Sequence, residues 1–123
     1  MISYSKLISE SLLIQIEGDV LMENSKDYYN AVTEILKQSP KLSRLIFDFG
    51  KVQFMDSSGM GSLIKLTGEM QKLGTTIHIF NLNKNLSAVF QLSGIHSIIK
   101  VKTTQDFFKD FPEFEFYREI INA

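Results

Sequence analysis

One stretch of the chain concentrates residues that could do chemistry. Phe54-Met55-Asp56-Ser57-Ser58-Gly59-Met60-Gly61 sets a carboxylate, two hydroxyls and two glycines almost side by side. The first use of such residues is structural. Asp56, Ser57 and Ser58 are each able to accept hydrogen bonds from the first N–H groups of a helix, which lack partners within it. Gly59 and Gly61 would let a first turn pack closely against a sheet. The same place suits a second use. A helix N-terminus carries about half a positive charge and free N–H donors, so it accommodates an anion. A serine there is a candidate phosphoryl acceptor, gaining up to about two negative charges. That gain would turn a nearly neutral surface strongly anionic and unseat a partner docked on it.

The flanking sequence sets this stretch between a strand and a helix. Leu45-Ile46-Phe47-Asp48-Phe49 is short, nearly all apolar and bounded by Pro40 and Gly50, as a strand covered on both faces would be. After the stretch, Met60, Leu63, Ile64, Leu66, Thr67 and Met70 recur at helical spacing, and Gly74 stands where a left-handed cap would sit. Upstream, Ile2 to Lys6 predicts a short edge strand. Leu12, Ile14 and Ile16 alternate with Leu13, Gln15 and Glu17, which predicts a strand with one wetter face, ended by Gly18-Asp19. Asn24 and Ser25 are N-cap residues for a helix over Ser25 to Gln38, with Tyr28, Val32, Ile35 and Leu36 on one side. Downstream, Thr76 to Phe80 predicts a second buried strand. Asn83 caps a helix carrying Leu86, Val89, Phe90 and Leu92, stopped by Gly94. Ile98 to Val101 is a candidate last strand, and Thr104 a cap for a helix beginning near Asp106. The order β-β-α-β-α-β-α predicts a single-domain α/β fold, with parallel strands joined by right-handed crossovers and an N-terminal hairpin mixed into the sheet.

Composition narrows the function. The 123 residues, 44% hydrophobic and 22% charged, suit one folded domain. The net charge of -1 lacks the basic excess of a nucleic-acid binder. No apolar run nears the ~20 residues that span a bilayer, and Met1 to Glu10 lacks the basic and apolar regions of a secretory signal. The absence of Cys excludes disulfides, zinc-thiolate sites and thiol catalysis, and is compatible with a cytoplasmic location. No catalytic constellation emerges. Asp56 stands two before Ser58, where a hydrolase elbow has glycine. Ile64 holds the third glycine's place of a dinucleotide fingerprint, and there is no phosphate-binding G-x-x-x-x-G-K-[ST]. His78 lies in an apolar strand and His96 in a turn, without metal-ligand spacing. The expectation is no cofactor, no metal and no enzyme. Asp48 is expected to be a structural acceptor. Lys51 and Gln53, in the loop before the stretch, are either solvated or near a partner.

In its strand-to-helix setting, Phe54 to Gly61 resembles the signature of the STAS domain family, in particular the anti-sigma factor antagonists. The resemblance covers about residues 2–108, including the Gly18 turn and Leu92-Ser93-Gly94-Ile95. It implies a phosphorylation cycle. An anti-sigma factor with serine kinase activity would phosphorylate Ser57, the first serine of the pair, from ATP. The unphosphorylated domain would bind that kinase and free a sigma factor or other target, and a serine phosphatase would reset the switch. Asp56 would position the loop and orient the Ser57 hydroxyl. Ser58 and the N–H groups of Gly59 and Met60 would cap the helix and steady the phosphate, while Met60 and Ser62 would touch the partner.

Two features depart from the family pattern. Leu21 stands where the family has Asp, with Asn24 a candidate polar substitute in the same loop. This favours an alternative: an unphosphorylated STAS scaffold or accessory subunit of a sensor or transport assembly. The second departure divides the chain into a STAS-like domain, residues 1–110, and an aromatic-rich C-terminal extension, residues 111–123. Phe107, Phe108, Phe111, Phe114, Phe116 and Tyr117 crowd this end. They predict either a helical segment packed on the domain's own core or an exposed partner or dimer surface, interrupted at Pro112.

Overall fold

The computed structural model describes residues 1–122. Strand β1 (Ile2–Ile8) and strand β2 (Ser11–Glu17) form an antiparallel hairpin. β3 (Arg44–Lys51), β4 (Thr76–Phe80) and β5 (Lys100–Lys102) then each pair parallel to the strand before. The sheet order is β1-β2-β3-β4-β5, so every crossover leads to the next position. Successive crossovers of one hand stack their helices on one face. Helices α1 (Ser25–Gln38), α2 (Ser57–Lys72) and α3 (Lys84–Ser93) accordingly share one core. Val32, Met60, Leu63, Leu66, Met70, Leu86 and Phe90 pack there on Leu12, Ile14, Leu45, Phe47, Ile77 and Ile79.

The other face is covered by the C-terminal end. Helix α4 (Thr104–Asp110), a tight 3-10 turn over Pro112–Phe114 and helix α5 (Tyr117–Ile121) run across it. Phe107, Phe108, Phe111, Phe114 and Tyr117 pack on Leu13, Ile46 and Phe80 in a second core. Phe107 stacks on Phe80 with ring centroids 3.9 Å apart. Burying each such ring stabilises the fold by about 1.5–3 kcal/mol relative to exposure. The aromatic end is thus packed on the domain's own sheet. Of the two alternatives for this end, the packed segment is found and the exposed partner surface is not: of the six aromatic residues Phe107, Phe108, Phe111, Phe114, Phe116 and Tyr117, only Phe116 is exposed. The same cover removes the wetter face expected of β2, since Leu13 and Gln15 are both buried.

That second core also holds a carboxylate. Asp48 Oδ2 accepts from Gln15 Nε2 at 3.0 Å and from the Tyr117 hydroxyl at 2.6 Å. Its Oδ1 accepts from the Gly50 N–H at 2.8 Å and from Asn81 Nδ2 at 3.0 Å. Four donors satisfy both oxygens of this buried side chain, so Asp48 is the structural acceptor its strand position suggests. Burial and this carboxylate push the Tyr117 hydroxyl far above its ordinary value, and it stays a donor.

The helix ends follow local chemistry with two corrections. Asn83 caps α3 through Leu86 N–H at 2.8 Å, as expected. The cap of α4 is Thr103, not Thr104, which is already helical. Asn24 precedes α1 but its side chain makes no cap there.

Candidate functional site

The site forms where two loops leave the top of the sheet. The parallel pairing of β2 and β3 continues beyond the strands through hydrogen bonds between their following loops. Gly18 N–H donates to Lys51 O at 3.0 Å, Val20 N–H to Phe54 O at 3.1 Å and Asp56 N–H to Val20 O at 3.2 Å. Asp19 Oδ1 accepts from Phe54 N–H at 3.1 Å. Residues 18–20 therefore brace the segment that leads into α2.

Asp56 is the N-cap of α2 and ties the site together. One carboxylate oxygen accepts from Gly59 N–H at 3.0 Å. The other accepts from Met22 N–H at 2.9 Å, across to the loop before α1. The Gly59 hydrogen bond, with that from Met22 and against a smaller opposing effect of burial, holds the Asp56 carboxyl below its ordinary range. Asp56 is ionised at neutral pH and locks both loops.

The two glycines differ. A Cβ on Gly59 would lie 2.5 Å from the Val20 carbonyl oxygen and 2.6 Å from Met55 Cγ. Only a residue without a side chain lets α2 start this close to the loop after β2. A Cβ on Gly61 would meet nothing within 4 Å, so the expectation that Gly61 serves close packing is corrected.

Ser57 is the first residue of α2 and is exposed. Ser58 and Ser62 are half-buried. Met60 is only 6% exposed and belongs to the main core, so its expected contact with a partner is corrected. Its spacing to Leu63, Thr67 and Met70 puts it on the stripe that faces the sheet. The exposed side of α2 instead runs from Ser57 through Gly61 to Ile64 and Lys65. Beside it stand two exposed apolar side chains, Met22 at 73% and Phe54 at 49%. No periodicity marked Met22, whose N–H bond to Asp56 adds to the brace that residues 18–20 make with the same segment.

Two further expectations change. The N–H groups of Gly59 and Met60 were expected to steady a phosphate, but Asp56 already holds both: Gly59 through its side chain, Met60 through its carbonyl at 2.9 Å. Asn24 does not replace the family's carboxylate. Its Oδ1 accepts from Leu21 N–H at 2.8 Å and its Nδ2 donates to Asp19 O at 2.9 Å, so its amide is used inside the loop. His96 is exposed and His78 buried. Among the described residues, no three His, Asp or Glu side chains gather as a metal site would need. No helix among the described residues is long and apolar enough to cross a membrane.

These features define a class: a small α/β domain with a mixed five-stranded sheet that displays a hydroxyl at the first residue of a helix. The STAS domain model matches residues 5–107. The chain belongs to the STAS domain family.

Solved structures agree with that fold. The anti-sigma factor antagonist SpoIIAA in its unphosphorylated form matches with a TM-score of 0.63 and 18% identity, over 89% of this chain and 96% of that one. An anti-sigma factor antagonist from Mycobacterium paratuberculosis matches with a TM-score of 0.72 and 17% identity, over 86% and 89%. The murine Slc26a9 anion transporter matches with a TM-score of 0.68 and 20% identity, over 75% of this chain and 15% of that one.

Proposed function

We propose that the protein is an anti-sigma factor antagonist, a cytoplasmic binding module switched by phosphorylation of Ser57. The observation that supports this most is the pairing of an exposed hydroxyl at the start of α2 with an N-terminus already capped by Asp56. Ser57 is exposed and its hydroxyl makes no hydrogen bond among the described residues, so a phosphoryl group there would break no contact seen in the fold. The N–H groups of Gly59 and Met60 are engaged, so the added dianion would stand outward beside the Asp56 carboxylate. A partner seated over Ser57, Met22 and Phe54 would then face that charge directly. Unphosphorylated, the module binds an anti-sigma factor with serine kinase activity and releases that factor's target. Phosphorylated by the same kinase, it lets go, and a serine phosphatase restores binding. The SpoIIAA structures, one of them phosphorylated, share this fold.

The test is incubation with the cognate kinase and ATP, followed by mass spectrometry and binding measurements. Modification is expected at Ser57. Ser57→Ala is expected to stay unmodified and bind, and Ser57→Asp to bind at least tenfold more weakly. Modification at Ser58 instead, or undiminished binding by Ser57→Asp, would contradict the reading. Leu21 supports a second reading, an accessory module without a phosphorylation cycle, in line with the transporter that shares the fold. Ser57 left unmodified in cells under every growth condition would decide for it.

A further inference from the structure

His78 belongs to the aromatic face, and the switch site does not use it. It is 5% exposed on β4. Its Nε2 lies 2.9 Å from Thr76 Oγ1, while its buried Nδ1 has no hydrogen-bond partner among the described residues. An orphaned polar atom in a core is costly and calls for an explanation. What covers it is Phe111, at the end of α4. The two rings meet edge to face at 83°, with centroids 5.2 Å apart.

The charged surroundings are lopsided. Strand register puts Lys100 of β5 opposite His78, and Lys102 two residues further along. Arg44 on β3 and Lys102 each lie over the Phe111 ring, 5.8 Å from its centroid. Among the described residues, the carboxylate acting on His78 is Asp110 on α4, which is bound to Lys102 Nζ at 2.5 Å. Three cations and one already paired anion thus face the imidazole, and a proton on it would add a fourth positive charge under an apolar cover.

We propose that His78 makes the C-terminal aromatic segment, α4 through α5, a pH-responsive latch: shut over the neutral imidazole and loosened by acid. Burial first, then Lys102, Lys100 and Arg44, hold the closed-state pKa of His78 down to about 4, with Asp110 opposing. Once the segment lifts, burial, the largest cause, is relieved and the ring rises toward its ordinary value of about 6.5, while Lys100, Lys102 and Arg44 stay on the sheet and hold it somewhat below. The sign follows. Above about pH 6.5 neither state binds the proton and the latch is tightest. Between about 6.5 and 4 the open state is protonated and the closed state is not, so opening grows by up to about tenfold per pH unit. Below about 4 both are protonated and the effect levels off. Lifting the segment uncovers Leu13, Ile46 and Phe80. Most of this segment lies beyond the residues the family model matches, so the device is a property of this chain's own end. It stands independently of the reading of Ser57.

Hydrogen exchange of the full chain between pH 7 and pH 5, corrected for the intrinsic pH dependence of exchange, tests the latch. At the Phe111 and Phe114 amides the opening constant is expected to rise several-fold, up to about twentyfold. His78→Phe, or His78→Leu if the ring does not fit, is expected to lose that rise, and His96→Gln to keep it. An unchanged wild-type opening constant, or the same rise in a folded His78 variant, overturns the proposal. So does an equal rise at the Ile14 and Phe47 amides, which would mean global unfolding. If neither His78 variant folds, an NMR titration of the wild-type rings decides. A His78 value well under that of His96 supports the latch, and equal values overturn it.

Discussion

The two faces of the sheet solve opposite problems. The helical face is covered by three regular helices whose apolar stripes point at β2, β3 and β4, and at its rim it leaves a hydroxyl in water. The aromatic face is covered by two short helices and a 3-10 turn, and draws its cohesion from large rings and one buried hydrogen-bond network. Regular helices bury area through periodicity. A short irregular segment must do it with bulk, and five of its aromatic side chains are buried. The difference teaches where stability resides and why the proposed switch lies elsewhere. The rim at Ser57 can accept charge because no core packing depends on it, whereas a charge on the aromatic face, such as a protonated His78, falls inside a core.

The contrast predicts that damage to the aromatic face is felt as stability and hardly as binding. Phe107→Ala removes a fully buried ring stacked on Phe80. The expected loss is about 3–5 kcal/mol in chemical denaturation, with partner affinity of the remaining folded protein within twofold of wild type. A tenfold loss of affinity in folded protein would mean that the two faces are coupled.

Gly59→Ala should produce the converse mixture. The added methyl meets backbone at 2.5 Å, the Val20 carbonyl, which has no flexible side chain to yield. The expected cost is about 1–3 kcal/mol. The brace between residues 18–20 and the α2 entry must shift, so binding is expected to fall by more than stability alone accounts for. Affinity and denaturation measured on the same sample separate the two. Affinity unchanged at full occupancy of the folded state would show that the partner does not read this loop.

The helical face was the legible one. Asp56, Ser57 and Ser58 before an apolar 3–4 repeat specify a helix start from local chemistry, and Gly59 was read as a close-packing residue, though the Val20 carbonyl it packs on is remote in the chain. Met60 was legible too, since its spacing to Leu63, Thr67 and Met70 marks the inward stripe, but nearness to Ser57 in the chain argued the other way. What could not be read was anything set by distant contacts. Gln15 alternates like a solvent-facing residue, and only Tyr117 and Asp48, from remote parts of the chain, explain its burial. The partners of Asp56 divide likewise: the bond from Gly59, three residues away, is local capping chemistry, although that N–H was expected to steady a phosphate, and the bond from Met22, 34 residues away, left no mark in the sequence.

The smallest effect is the most selective probe of the helical face. Gly61 lies one turn beyond Ser57 on the exposed side of α2, with nothing within 4 Å of an added Cβ. Alanine there removes the backbone entropy cost of a helical glycine and introduces no clash, so Gly61→Ala should stabilise the domain by roughly 0.5–1 kcal/mol. A methyl on that surface is nonetheless an obstacle to a closely seated partner. Stability and affinity are therefore expected to move in opposite directions, with binding weakened several-fold while the denaturation midpoint rises. If both rise or affinity stays level, the partner contacts Ser57 from the loop side, over Met22 and Phe54, and leaves the exposed stripe of α2 free. A fall in stability would instead mean that Gly61 is needed for packing after all, and the distinction drawn between the two glycines would fail.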